Sequence, residues 1–183
     1  MPGDLLSKYG ASDATLTTTN LQSLASSASW VIGWCSAQID NTTILADDYI
    51  VGGEFQVNTG VAPTTGTVIL VLAFAAYRIN AGTPIWPTTR ILGATSGGAA
   101  YAGTEAGFTI VDTEQRDSPV FKRLAAIVVD ANTSRGYAWS ASLRDAFGSL
   151  PPYTAIYVGQ ATGQALNSAN NVMYAQPKYG SYT

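Results

Sequence analysis

The sequence contains no histidine and only one cysteine, Cys35. Histidine is the commonest general base in enzymes and the commonest transition-metal ligand, and a Ser-His-Asp triad requires it. No Gly-x-Ser-x-Gly nucleophile motif is present. A lone cysteine forms no internal disulfide, and within the apolar run 30–35 we expect it to be a buried structural thiol. The sequence therefore predicts a protein that is not an enzyme, with no cofactor and no metal site.

Charged residues are also scarce, at 11% of the chain with a formal net charge of -3, where soluble domains average about a quarter. A surface poor in charge is weakly protected against association, so we expect part of it to be an interface. The acidic balance argues against nucleic acid, which requires a basic footprint. Residues 1–8 have neither the basic flank nor the apolar stretch of a signal peptide, so we expect synthesis in a cytoplasm without classical secretion.

The longest apolar run, Val68–Tyr77, is half the roughly 20 residues that a membrane-spanning helix needs, and no membrane partner is predicted. Its β-branched residues and the preceding turn at 62–66 favour a strand. Both faces of this strand are apolar, whereas a monomeric sandwich buries only one. The second face must pack on another subunit or beneath the connection 79–105. We predict a subunit or capsid interface at Ile69, Val71, Ala73, Tyr77 and Trp86.

About eight strands separated by turns, with one helical turn from Ser142 to Phe147, predict an all-β fold. The expected architecture is a single antiparallel β-sandwich over residues 29–183, and eight strands favour a jelly roll. Residues 1–28 are small and polar without periodicity, which predicts an extended N-terminal arm, with a frayed terminus as the equal alternative. The Gly52-Gly53 pair predicts a bulge or a close backbone approach within its strand.

The acidic clusters, Asp47-Asp48 and the group Asp112, Glu114 and Asp117, lack the spacing and glycine of a calcium loop. We interpret them as solvated turn carboxylates. A glycosidase needs two carboxylates flanking a sugar, and Glu54 with Asp112 is a pair that the sequence leaves open without marking it. The four tryptophans and ten tyrosines include Trp86 between two prolines, and exposed aromatics of this kind are the basis of a glycan-binding alternative.

Several segments resemble virion proteins of tailed double-stranded DNA bacteriophages, over roughly residues 21–177. The resemblance lies in the amino-acid residues of segments 21–28, 39–43, 59–66, 150–153 and 163–168 and in their order along the chain. It implies a jelly-roll capsid decoration (cement) protein, often trimeric, that binds the major capsid protein in the virion after assembly in the host cytoplasm. The stretch 78–86 departs from the more polar, acidic segment expected there. The alternatives are a tail-associated or receptor-binding glycan-binding β-sandwich and, third, a polysaccharide-active enzyme.

Overall fold

The structure is a computed structural model that describes residues 5–10, 14–58, 60–76, 78–87, 101–110 and 119–182. The described part of the chain forms thirteen strands and one short helix, which confirms the all-β prediction. The strands are β1 (Leu5–Tyr9), β2 (Ala14–Leu16), β3 (Ile32–Cys35), β4 (Ile39–Asp40), β5 (Asp48–Gln56), β6 (Val68–Ala75), β7 (Arg78–Asn80), β8 (Thr83–Ile85), β9 (Ala106–Thr109), β10 (Lys122–Val128), β11 (Gly136–Ser142), β12 (Tyr153–Gln160) and β13 (Val172–Tyr182). The helix α1 covers Leu143–Phe147, and the described chain contains no helix long and apolar enough to cross a membrane.

The strands form two antiparallel sheets that pack face to face as a sandwich. The first sheet has the order β1-β13-β5-β11, with β2 also paired to β13. The second has the order β10-β6-β12-β3-β9, with β4 also paired to β12, and β7 and β8 form a separate hairpin. The strand count exceeds the expected eight because several short pieces, such as β4 and β9, extend the sheets beside the longer strands.

The interior between the sheets is filled by alternate side chains of the facing strands. Ile69, Val71 and Ala73 of β6 have no exposed surface and pack in one cluster with Val51 and Phe55 of β5. The interface prediction was therefore wrong for these three β6 residues. Strand residues alternate between two faces, and the odd-numbered face of β6 is the one that meets the first sheet.

The predicted N-terminal arm is part of the sandwich in the described residues. β1 and β2 pair with β13, and Gly10 donates its backbone N–H to Pro177 at 2.8 Å. Leu16, Leu21 and Leu24 are buried in the main core. The structure therefore has no boundary at residue 28, because three leucines anchor this segment and β13 supplies its backbone partners.

The Gly52-Gly53 pair lies in β5, whose register with both neighbouring strands runs through the glycines without a shift. The predicted bulge is wrong, and the alternative, a close backbone approach, is confirmed. A Cβ at Gly53 would collide with the backbone oxygen of Val172 on β13. A register shift occurs instead in the second sheet, in β10 between Arg123 and Ala125.

Helix α1 begins and ends as its sequence predicts. The Ser142 side chain accepts a hydrogen bond from the Asp145 backbone N–H, and Gly148 ends the helix in the left-handed conformation. Asp48 is buried, and its carboxylate accepts hydrogen bonds from the Ser142 hydroxyl at 2.7 Å and the Arg144 N–H at 2.9 Å. The interpretation of Asp48 as a solvated turn carboxylate was therefore wrong. Its buried carboxylate links the start of α1 to β5 by hydrogen bonds.

Candidate functional site

The outer face of the second sheet, which points away from the first sheet, carries a second apolar cluster. Phe74 of β6 is fully buried there. Its ring meets those of Trp86, Tyr101 and Phe121 edge-on, with centroids 5.7, 5.2 and 5.5 Å away. Edge-to-face aromatic pairs at this separation stabilise a cluster beyond the burial of their area. One half of the outer face of β6 is thus covered within the chain.

The cover comes from the described parts of the connection between β6 and β9, where Trp86 and Tyr101 are buried. The Tyr101 hydroxyl donates to the Ser36 carbonyl oxygen at 2.7 Å, and burial raises the pKa of Tyr101. Trp86 is only 8% exposed, so its assignment as an exposed interface anchor was wrong. Tyr77, the remaining predicted interface residue, lies outside the described residues. Cys35 belongs to the same cluster, and its burial, which raises the pKa of the thiol, confirms a structural cysteine.

Glu105, the residue just before β9, links the connection to the rest of the sandwich through hydrogen bonds to its carboxylate. Glu105 accepts hydrogen bonds from the Asn20 backbone N–H at 2.6 Å and from the Asn20 side-chain amide at 2.7 Å. It also accepts one from the indole N–H of Trp34, a core residue, at 2.6 Å. Glu105 therefore joins the connection, the N-terminal segment and the core.

The described parts of this cover, residues 78–87 and 101–105, do not reach the beginning of β6, and among the described residues an apolar groove of about 510 Å³ lies there. We call it the β6 groove. Its lining consists of Trp30, Val68, Leu70, Leu72, Phe121, Arg123 and Ala126. Val68 and Leu70 pair directly with Val128 and Ala126 of the edge strand β10, and Val128 is 63% exposed. Within the described residues, the second apolar face of β6 is thus half covered and half open.

The two sides of the β6 groove differ in character. On one side, Trp30 has a positive φ of 55°, its indole N–H donates to Val68 O at 2.9 Å, and its carbonyl accepts from the Tyr157 hydroxyl at 2.6 Å. On the other side, Arg123 is exposed beside the register shift of β10. Its guanidinium makes no hydrogen bond or ion pair with the described part of the chain. The groove thus combines an apolar floor, a fixed indole and one unpaired cation.

An apolar floor with an indole and a cation at its sides suits binding by burial of apolar surface. The described residues contain no group of three or more His, Cys, Asp or Glu side chains placed to hold a metal ion. Glu54 is exposed on the outer face of the first sheet, on the opposite side of the sandwich from the groove. Asp112 lies outside the described residues, so the pair Glu54 and Asp112 is not assembled in them.

No protein family, curated protein or solved structure matches this chain. The sequence pattern predicted that β6 is apolar on both faces, but it did not mark Trp30 or Ala126 as groove residues, nor Val128 beside them. The alternation of side chains between the two faces of β10 could have been inferred from the sequence, since it follows from a strand at this position. The position of Trp30, which depends on a left-handed backbone after a loop, had no sequence pattern that would place it there.

Proposed function

We propose that this protein is a non-enzymatic structural component of a tailed-phage particle, a capsid decoration protein that stabilises the head by bridging capsomers. The observation that carries the proposal is the open half of the outer face of β6. Val68, Leu70, Ala126 and Val128 form an apolar strip there, on a molecule with little charge elsewhere. Exposed apolar patches of this kind mark surfaces that bind other macromolecules.

The strand order supports a jelly roll, which the resemblance to phage virion proteins implies. Nine strands lie on the two sheet paths, and without the short edge strand β9 they are, in chain order, β1, β3, β5, β6, β10, β11, β12 and β13. Numbered one to eight, they stand in the order 1-8-3-6 in the first sheet and 5-4-7-2 in the second. This is the order produced by wrapping one long hairpin of four strand pairs into a sandwich, as in a jelly roll.

The partner is the major capsid protein, and the protein itself is a homo-oligomer, with a trimer favoured by the resemblance. A stable interface buries about 800 Å² on each partner, which is more than one groove supplies. The contact therefore extends from the β6 groove over the exposed Val128 and the edge of β10. Arg123 at the rim favours a partner that places a carboxylate there, because an ion pair excluded from water is stronger than an exposed one.

The test uses variants that separate folding from binding. Ala126 is exposed, so Ala126→Asp should leave the far-UV circular dichroism and urea midpoint near wild type while abolishing attachment to purified capsid shells. Val61→Asp, which also adds a carboxylate at an exposed apolar residue (53% exposed), serves as the matched control and should bind normally. Val71→Asp should fail to fold because that side chain is in the core.

The measurement is the copy number of the protein in particles assembled with each variant. Wild-type occupancy with Ala126→Asp would refute the groove as the shell contact, and a location confined to the tail would refute the decoration role. Sedimentation equilibrium of the free wild type at micromolar concentration tests the oligomer separately, and a monomer would remove self-association from the proposal.

A further inference from the structure

The strand β10 has one side without a backbone partner in the described chain. It stands at the end of the second sheet, and among the described strands it pairs only with β6. The unpaired N–H and C=O groups along such an edge can form hydrogen bonds with a strand from another chain. The edge of β10 is therefore a place where a partner can bind through its backbone as well as through its side chains.

The hydrogen bonds around β6 show which residues of β10 offer these groups. Val129 directs its N–H toward β6, where it donates to Thr67 O at 2.9 Å. Val68, which lies opposite Val128, directs its carbonyl the other way, toward β12, where it accepts a hydrogen bond at 3.1 Å. In an antiparallel pair, residues bonded to the neighbour alternate with residues that face away from it. The backbone groups of Val128 and Ala126 therefore face the open edge.

This part of the edge lacks the features by which proteins usually protect an edge strand, such as charged side chains, prolines and bulges. The two basic residues of β10 and its register shift come before Ala125, and the next charged residue is Asp130. The stretch between them is apolar, and Ala126 and Val128 are both exposed. The backbone of β10 is thus open to an added strand at these two residues.

The open edge adjoins the β6 groove. Ala126 lines the groove, and Val128 lies opposite Val68 on its floor. A strand added at the edge lies about 4.8 Å from β10, so its outward side chains stand directly beside Ala126 and Val128. Because Ala126 is small, a long apolar side chain on the added strand can lean over it toward Leu70. One extended segment can therefore use the edge and the groove together.

We propose that the partner binds here by strand addition, with an extended segment of the capsid protein pairing with β10 as a further strand of the second sheet. This inference rests on the proposed function, which places the capsid contact at the β6 groove and the β10 edge, and it adds how that contact is made. The segment exchanges backbone hydrogen bonds with Ala126 and Val128. It carries apolar side chains on the alternate residues that face the groove, and a carboxylate at the end beside Arg123, whose guanidinium makes no ion pair with the described chain.

A second copy of this chain fits the same edge less well. If two β10 strands paired, the side chains brought to the groove would be the small Ala126 and Val128 of the other copy, which leave most of the floor uncovered. The carboxylate nearest the edge on that copy, Asp130, is already paired with Arg135 and is not free to meet Arg123. A segment with longer apolar side chains and a carboxylate of its own satisfies both features.

The first test is amide hydrogen exchange of the ¹⁵N-labelled protein, read by NMR. In the free protein, the amides of Ala126 and Val128 should exchange fast, while those of Ala125, Ile127 and Val129 are protected by β6. After attachment to purified capsid shells, exchange in D₂O and release under quenching conditions, Ala126 and Val128 should be protected on the order of tenfold or more. Attachment without this protection overturns strand addition and leaves the capsid role intact. Protection that grows with concentration in the free protein identifies a second copy as the occupant and also overturns the proposal.

The second test removes the edge donors one at a time. Proline is tolerated on an edge strand where the N–H that it lacks faces solvent, so Ala126→Pro and Val128→Pro should keep the far-UV circular dichroism and urea midpoint near wild type. Each should weaken attachment to shells at least about tenfold, because one hydrogen bond is lost and the ring occupies the place of the added strand. Val128→Ala, which shortens the side chain but keeps the N–H, is the matched control and should weaken attachment less.

The outcomes separate this inference from the proposed function. Proline variants that fold and attach as well as Val128→Ala overturn strand addition, while attachment of the wild type still supports the decoration role. A wild type that does not attach to shells overturns both. If the proline variants fail to fold, the exchange measurement on the wild type decides the question.

Discussion

Leu21 provides the sharpest test of how the N-terminal segment is held. The residue lies within the predicted N-terminal arm, residues 1–28, yet its side chain has no exposed surface and packs in the main core. Leu21→Ala removes one buried methine and two buried methyl groups and leaves a cavity, and such substitutions cost about 2–5 kcal/mol. We expect a loss of about 3 kcal/mol in the free energy of unfolding, a large part of the 5–15 kcal/mol typical of a domain.

The surroundings of Leu21 limit how far the cavity collapses. The backbone N–H of Leu21 donates to Thr18 O at 3.2 Å, and that of Ser23 donates to Asn167 O at 2.9 Å. The Gln22 side-chain amide donates a hydrogen bond to the Asn171 backbone oxygen and accepts one from the Asn171 side-chain amide. A loop fixed at three consecutive residues cannot relax into the space left by the leucine, so the cost should not fall to the low end of the range.

Leu45→Ala is the matched control, because it makes the same change at a leucine that is 73% exposed and should alter stability by under about 0.5 kcal/mol. Both variants are measured by urea unfolding monitored by far-UV circular dichroism, with an unchanged m-value confirming two-state behaviour. If Leu21→Ala stays within about 0.5 kcal/mol of wild type, residues 14–24 do not belong to the cooperative unit and the reasoning is refuted.

Three further predictions concern single side chains. Glu105→Ala leaves the buried indole N–H of Trp34 without its acceptor and should cost about 1–3 kcal/mol in urea unfolding, whereas Glu105→Gln keeps an acceptor oxygen and should cost less; equal losses would contradict this role. Burial raises the pKa of the Cys35 thiol, so it should react with a disulfide reagent at pH 8 only after unfolding, and rapid reaction of the native protein would argue against its placement. The pKa of Asp130 is lowered by hydrogen bonds from the Asn132 N–H and the Tyr137 hydroxyl, with a smaller contribution from Arg135. Its ionised form therefore stabilises the fold above a pH of about 4, and this stabilisation is lost as the pH falls through the lowered pKa. Asp130→Asn should flatten that part of the stability curve, and an unchanged slope would count against the assignment.

The features that local sequence determines were predictable. Helix α1 follows from a serine cap and a terminal glycine six residues apart, each of which acts on the turn next to it. The all-β class follows from short apolar runs separated by turn residues. Each of these depends on contacts between residues close in the chain, so no knowledge of the final packing was needed.

The N-terminal segment could not be predicted in this way. Leu16, Leu21 and Leu24 follow neither a strand nor a helix period, because only Leu16 lies in a strand and the other two lie in an irregular loop. The backbone partner of β1 and β2 is β13, at the far end of the chain. A pairing across so many residues leaves no local pattern in the sequence.

The two faces of β6 posed a different difficulty. Both alternate sets of side chains are apolar, so the period of two separates them but does not say which set faces the first sheet. The structure decides through the path of the chain: Phe74 lies next to the end of β6 at Ala75, from which the connection to β9 departs. The returning residues Trp86 and Tyr101 therefore reach Phe74 and not Val68.

The chain path also explains why the uncovered half of the outer face of β6 and β10 is a candidate for function. Phe74 must be apolar, because the cover packs on it and a polar group there would lose its water without gaining a partner. No such requirement applies to Val128, which is 63% exposed opposite Val68, since a polar residue there would keep its hydration in the free protein. The folded monomer thus explains the apolar residues beneath the cover but not those of the exposed strip on β10. The proposed binding to a partner would supply that reason, and Ala126→Asp tests the proposal because it changes the strip without touching the core.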